Sequence, residues 1–257
     1  MSNKIGTANL RVSLAGGGMD RSEHFNDFEM PILTEGINRI VTCTKPKNGK
    51  FKWHNSLKGI RGLGSSGARH LSLLRAGRPD LPDKQRVLKA IETDMKTGGG
   101  YQDPIGCSAL GLHVIRLHNG DFETDHLYRP ERFDEFRQIY RIPFTHNKKI
   151  LNEQKQDPND KFKLKDITLS AIKAIRDSDF ESLGRCVTDG WNIKKQWHPA
   201  IVNETINKME QEASELRVLG YKVLGSGGQG AFLVIAPPET HQILVEGYKW
   251  QKINLKS

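Results

Sequence analysis

The chain is short of the residues that mark several large protein classes. Its 257 residues hold three cysteines, Cys43, Cys107 and Cys186, far apart and odd in number. That excludes a disulfide framework and a cysteine-based zinc site, and it predicts reduced thiols in the cytoplasm. No apolar run approaches membrane-spanning length. The stretch Met1 to Leu10 lacks the apolar core of a secretory leader. Aromatic residues make up 7%, few of them interleave with basic residues, and there is no dense Lys/Arg block. A dedicated nucleic-acid binder would carry both features. The formal charge of +9 therefore favours anionic partners in general: nucleotides, sugar phosphates, nucleic acid or acidic surfaces. The nine histidines fall at no metal-binding spacing, and no internal repeat is visible. With 36% hydrophobic and 27% charged residues, the chain suits a globular protein with a substantial core, as one large domain or two small ones.

What the chain does have is clustered glycine. The stretch Gly62-Leu63-Gly64-Ser65-Ser66-Gly67-Ala68 opens a segment with apolar residues at helical spacing. Glycines let backbone N–H groups approach an anion, and a helix start adds its dipole and unpaired donors. The spacing is nearly that of a P-loop, but Ala68 and Arg69 stand where Lys and Ser/Thr belong, so that reading fails. Near the N-terminus runs Arg11-Val12-Ser13-Leu14-Ala15-Gly16-Gly17-Gly18-Met19-Asp20. Near the C-terminus, Leu224-Gly225-Ser226-Gly227-Gly228-Gln229-Gly230 precedes an apolar run from Ala231 to Ala236. Each cluster alone reads equally as a plain turn.

The pattern between them predicts strands at 9–14, 37–44 and 51–53, with a turn over 46–50, and helices at 68–76 and 83–95. Asn119-Gly120 predicts a tight hairpin joining strands at 111–117 and 121–127. The polar stretch 153–165 reads as an exposed loop, followed by helices at 166–177, 180–190 and 203–219. Strands are expected at 222–224, 232–236 and 242–248. The domain boundary is expected near Pro130, giving units 1–130 and 131–257.

Taken together and in order, the three glycine clusters resemble the three motifs of the GHMP small-molecule kinases, with the heptose-7-phosphate kinases as the nearest branch. Met19 takes the place of a Thr in the first motif. Gly100-Tyr101-Gln102-Asp103 resembles that branch's Gly-x-Gln-Asp. Phe144 to Leu151 loosely resembles its Tyr-Thr-Gly-x-x-Arg segment, and Trp191-Asn192-Ile193-Lys194-Lys195 its Trp-x-x-Lys-Lys helix. The resemblance covers nearly the whole chain. It implies an α+β fold, with an N-terminal subdomain like a ribosomal-protein and elongation-factor domain and a ferredoxin-like C-terminal subdomain. It also implies an enzyme that uses ATP and magnesium (Mg2+) to phosphorylate a sugar or sugar phosphate, first the anomeric hydroxyl of a heptose 7-phosphate. A homodimer is compatible with the resemblance, and the sequence does not give the oligomeric state.

The same resemblance assigns roles. Gly62, Leu63, Gly64, Ser65, Ser66, Gly67 and Ala68 would cradle ATP. Ser66 and Glu92 would hold magnesium; Glu92 precedes Asp103 by eleven positions (103 − 92), the family's Glu-to-Asp separation. Asp103 would be the catalytic base or orient the acceptor hydroxyl, and Arg11 would stand by the transferred phosphate. Gly17, Gly18, Asp20, Gly227, Gly228, Lys194 and Lys195 would contact the acceptor. Each has a plainer reading: a solvated helix charge for Glu92, a turn or helix cap for Asp103 and Asp20, a strand-edge cation for Arg11, a hairpin for the last glycines, a solvated face for the lysines. His70, unusual for the family at this motif position, reads either as a helix-surface histidine or as one near the nucleotide.

Two departures bear on substrate. The interval between the first two motifs is about half that of relatives in the branch, and Ser226 and Gln229 replace Ala and Gly in the third motif. Two alternatives follow: a kinase for another sugar, of fucose or galactose type, or a degenerate relative that binds ligand or nucleic acid without turnover.

Overall fold

A computed structural model describes residues 4–21, 28–46, 50–143 and 155–255. The turn expected over 46–50 lies partly outside these residues, and the segment 144–151 lies wholly outside them.

In chain order the elements are β1 (Lys4–Ala15), β2 (Met30–Lys45), β3 (Lys52–Asn55), α1 (Ser65–Gly77), α2 (Asp83–Met95), α3 (Gln102–Gly106), β4 (Gly111–His118) and β5 (Asp121–Leu127). Then follow α4 (Phe133–Phe136), β6 (Arg137–Arg141), α5 (Asp160–Arg176), α6 (Phe180–Lys194), α7 (Glu204–Glu215), β7 (Gly220–Leu224), β8 (Ala231–Ile235) and α8 (Pro238–Glu246). The first sheet has the order β1-β2-β4-β5, with β3 paired to β2; the second has the order β6-β8-β7. All described pairings are antiparallel. Helices are segregated from strands rather than alternating with them, so the fold class is α+β.

The C-terminal half of β1 is buried from Leu10 to Ala15. Leu10, Val12 and Leu14 alternate with Arg11 and Ser13, so one face carries apolar side chains and the other carries the polar pair. Glycine lets α1 close on this strand: a Cβ at Gly6 would lie 2.3 Å from the Ala76 amide nitrogen. A similar contact joins α6 to β7, where a Cβ at Gly220 would meet the Gly184 carbonyl oxygen at 1.9 Å. The β4–β5 hairpin turns at Asn119 and Gly120, with φ of 48° and 74°, as the Asn-Gly pair predicts.

Two expected elements differ. Helix α5 starts at Asp160, inside the stretch read as a loop. Its first turn looks solvated in sequence, but Asp160 accepts the Trp197 indole N–H at 2.7 Å and is buried with Leu164. The run expected as a strand at 242–248 is instead mostly helix α8. Pro238 stands in its first turn, where its missing N–H costs nothing, and His241 and Leu244 share the buried face three residues apart. Ile243 and Val245, which gave the run its strand-like look, are exposed.

Candidate active site

The three glycine clusters meet at one cleft of about 300 Å³. Its floor is the turn before α1. Gly62 and Gly64 have φ of 87° and 71°, left-handed values that favour glycine. A Cβ at Gly62 would lie 2.4 Å from the Leu224 carbonyl oxygen, and one at Gly64 would lie 2.7 Å from Arg11 Cγ. The second glycine cluster therefore packs against both β1 and the third cluster. The backbone confirms the first contact, since Arg11 N donates to Leu63 O at 3.0 Å. Helix α1 begins with no side-chain cap and no acidic residue in its first turn. Its free N–H groups and positive dipole end make a cradle for an anion beside the turn.

Arg11 and Asp103 form the polar centre of the cleft. Arg11 Nε donates to Asp103 Oδ1 at 2.9 Å, Arg11 Nη2 donates to the same oxygen, and Arg11 Nη1 donates to Gly62 O at 2.9 Å. The guanidinium is thus fixed by β1 and by two partners. Burial pushes the Asp103 carboxyl above the ordinary carboxylate value, and Arg11 only partly offsets this. Asp103 keeps a quarter of its side chain exposed to the cleft (25%).

The carboxylate next to Ser66 is not Glu92. Glu92 is exposed on α2 and does not line the cleft. The buried face of α2 is Val87, Ala90, Ile91 and Asp94, and Glu92 lies about 200° around the helix from Asp94. Asp94 turns inward, 1% exposed. Its Oδ1 accepts the Ser66 hydroxyl at 2.6 Å, while its Oδ2 is buried without a partner. His70 Nδ1 stands 3.3 Å from Oδ1. Thus His70, read as a surface residue or as one near the nucleotide, is only 18% exposed and faces the same carboxylate.

Asp20 ties the first glycine loop to α3. Its Oδ2 accepts from Gln102 N at 2.9 Å, its Oδ1 from Gly18 N at 3.3 Å, and its carbonyl from Tyr101 N at 2.9 Å. It lines the cleft together with Gly17 and Gly18. Gly227 and Gly228, expected to touch the acceptor, are buried elsewhere. A Cβ at Gly227 would meet Ile201 Cγ2 at 2.8 Å, and Gly228 N donates to Ile201 O at 2.8 Å. Gly225, Ser226 and Gln229 line the cleft instead. The lysine pair also divides. Lys194 lines the cleft and donates to Gly225 O. Lys195, nearly one-third of a turn further on, points to Glu210 Oε2 at 3.2 Å.

Sequence reasoning missed Lys222 and the role of Asp94. Lys222 is 8% exposed, lines the cleft and donates to Leu14 O at 3.4 Å. Its signal was present: a lone lysine in an otherwise apolar strand just before a glycine motif. Burial, then the neighbouring cations Lys194 and Arg11, pulls its ammonium down to about 7. Burial and Arg11 pull Lys194 down to about 8. Among the described residues no group of three or more His, Cys, Asp or Glu side chains could hold a metal ion. Ser66 and Asp94 are a hydrogen-bonded pair of oxygen donors beside the glycine turn.

Comparison with known proteins agrees with this architecture. Residues 171–247 match the family described as GHMP kinases C terminal. A bifunctional fucokinase/GDP-fucose pyrophosphorylase from Arabidopsis thaliana is 25% identical over 167 residues, 59% of this chain. The match spans only 16% of that protein's length. Among solved structures, a D-glycero-D-manno-heptose 1-phosphate kinase from Bacteriodes thetaiotaomicron superposes with a TM-score of 0.72 at 18% identity, covering 98% of this chain and 97% of that one. The Methanococcus jannaschii mevalonate kinase gives 0.68 at 15% identity, covering 98% and 99%. At these identities the structures speak for the fold. Residues 171–247 thus match the C-terminal segment of the GHMP kinases, and the chain shares the fold of these solved kinases along nearly its whole length.

Proposed function

We propose that this protein transfers the γ-phosphoryl group of ATP to a hydroxyl of a sugar or sugar phosphate, with the anomeric hydroxyl of a heptose 7-phosphate the first acceptor to test. The observation that carries this reading is the meeting of the Arg11–Asp103 pair with the uncapped start of α1 in one cleft. Phosphoryl transfer draws on positioning and charge compensation more than on covalent chemistry by the protein. The glycine turn and the start of α1 would bind the nucleotide phosphates. Arg11 would meet the charge on the transferred group. Asp103, whose carboxylate reaches the cleft, would accept a hydrogen bond from the acceptor hydroxyl and orient it for attack.

The residues fit a magnesium ion, which takes hard oxygen donors. Ser66 Oγ donates a hydrogen bond to Asp94 Oδ1 and so keeps its lone pairs for a cation, and Asp94 Oδ2 is buried without a partner. These two residues would hold the ion, which when bound would neutralise phosphate charge. A second acceptor class, of fucose type, is favoured by the match to the plant fucokinase. We also propose a subdomain boundary near residue 130: among the described residues, no strand of β1–β5 pairs with β6–β8.

The test is magnesium-dependent ADP release with heptose 7-phosphate, heptose, fucose and galactose. One acceptor should stimulate turnover strongly, because a misaligned hydroxyl loses most of the rate. Asp103→Asn should keep ADP binding and lower turnover roughly 100- to 10,000-fold. Absence of stimulation by every acceptor, with tight, salt-sensitive binding of nucleic acid, would replace the kinase reading with a non-catalytic one.

A further inference from the structure

We infer that Lys222 and Lys194, together with Arg11, Ser13 and Gln102, form a binding site for a phosphate dianion on the β7 side of the cleft. The inference rests on the proposed phosphoryl-transfer reading and adds to it a site separate from the glycine turn.

The first observation is an excess of buried positive charge. Lys222 enters the cleft from β7, Lys194 from the last turn of α6 and Arg11 from β1. Taking an ammonium out of water costs several kcal/mol unless a partner compensates. Among the described residues, neither lysine has a carboxylate in ion-pair range. Lys222 has the Leu14 carbonyl at 3.4 Å and Lys194 the Gly225 carbonyl, whereas each ammonium carries three donors. The acids in the cleft are already engaged. Asp103 is held by Arg11, and Asp20 by the Gln102 and Gly18 amides. Burial, then neighbouring cations, pulls both ammonium groups down, and at Lys194 the nearby Asp20 and Asp103 only partly offset this.

The second observation is independent of charge. Ser13 and Gln102 line the same cleft, are 5% and 4% exposed, and leave Ser13 Oγ and Gln102 Nε2 buried without a partner. A buried donor without an acceptor is costly, so native structures rarely keep one without a ligand or water. A hydroxyl, an amide N–H and two ammonium groups, beside a guanidinium, present donors to one space. A tetrahedral dianion is rich in acceptors and carries the missing charge, so it satisfies all of them. A neutral sugar would satisfy the hydroxyl and the amide but would leave the lysines uncompensated.

The dianion has two sources: the phosphoryl group in transit from ATP, or a phosphate already on the acceptor. Both share the chemistry, and competition separates them. Binding of inorganic phosphate to the full-length protein is measured by calorimetry, with ADP binding as a parallel readout. Wild type should bind phosphate, and Lys222→Met should weaken it at least tenfold while changing ADP affinity less than about threefold. Ser13→Ala, which removes one hydroxyl, should weaken phosphate binding by a smaller factor. Lys222→Met exchanges a buried charge for an apolar side chain of similar length, so it should melt no lower than wild type. Should it fail to fold, Ser13→Ala carries the test. Phosphate binding lost in the presence of a non-hydrolysable ATP analogue assigns the site to the group in transit; binding retained assigns it to the acceptor. If ADP binds but phosphate does not, or if the variants bind phosphate like wild type, the inference is overturned and the kinase reading stands. If ADP does not bind either, the kinase reading itself fails.

Discussion

At the scale of single residues, the charge state of Lys222 and Lys194 sets how the cleft responds to pH. The groups facing them are Arg11 from β1, Asp20 from the loop after it and Asp103 from α3. Burial, then the neighbouring cations, pulls the two ammonium groups down to about 7 for Lys222 and about 8 for Lys194, against about 10.4 for an unperturbed lysine. The folded protein therefore binds fewer protons than the unfolded chain between those values. Stability should rise as pH increases from about 7 toward 10, and this gain should be lost as pH falls through the folded values. Anion binding has the opposite sign, because an anion needs the protonated amines. Sulfate keeps a constant charge over this range, so its affinity should fall at least about tenfold between pH 7 and pH 9. Calorimetric titration at several pH values checks this, and a flat profile would show that the lysines do not hold the anion. The residue scale is also where sequence reading divides. Arg11 and Asp103 stood out because their motif positions coincide with their places in the cleft. Glu92 was chosen by spacing along the chain, but a helix advances 100° per residue, so a shift of two positions moved the inward carboxylate to Asp94.

At the scale of elements, the start of α1 carries the anion cradle, and its geometry depends on Gly64. That residue precedes the helix at φ 71° and ψ 22°. An alanine there would pay about 1–2 kcal/mol for the left-handed backbone and would set a Cβ 2.7 Å from Arg11 Cγ and 3.0 Å from Cys107 Sγ. Gly64→Ala should lower the melting temperature by roughly 2–8 °C and weaken ADP binding, since it displaces Arg11 and the turn together. Gly77→Ala, at the other end of α1, would place its Cβ 3.7 Å from Phe51. It should be neutral or slightly stabilising. Thermal melts of both variants, with ADP titrations, test whether the first glycine is kept for its conformation. Elements with strong local signals were legible: β1, the Asn119-Gly120 hairpin and α2 fall close to their expected places. Elements fixed by distant contacts were not. The start of α5 is anchored by the Trp197 indole on Asp160, 37 residues away in sequence, and α8 buries His241 and Leu244 while Ile243 and Val245, which read locally as a strand, stay exposed. The lone Lys222 shows in the sequence, but its place in the cleft does not, because its neighbours Arg11 on β1 and Lys194 on α6 come together with it only in the folded chain.

At the scale of the whole molecule, the cleft belongs to both halves of the chain. Arg11, Ser66 and Asp103 come from the side of the first sheet; Lys194, Lys222 and Gln229 come from that of the second. The halves already meet through the glycine clusters, where a Cβ at Gly225 would lie 2.6 Å from Gly62 Cα. A ligand that occupies the glycine turn and the lysine site at once must therefore stabilise both halves together. Binding at 100 times the dissociation constant contributes about 2.7 kcal/mol, which for a chain of this size raises the melting temperature by roughly 5–10 °C. An ATP analogue with magnesium should produce that shift as a single cooperative transition, monitored by the far-ultraviolet signal and by tryptophan emission. Trp191, Trp197 and Trp250 are buried in the C-terminal half while Trp53 lies exposed in the N-terminal half, so the two probes weight the halves differently. Coincident shifts would mean that the ligand bridges the cleft. A shift confined to one probe would mean that it touches one half alone, and the convergence of the three glycine clusters would then be a packing feature rather than a shared binding surface.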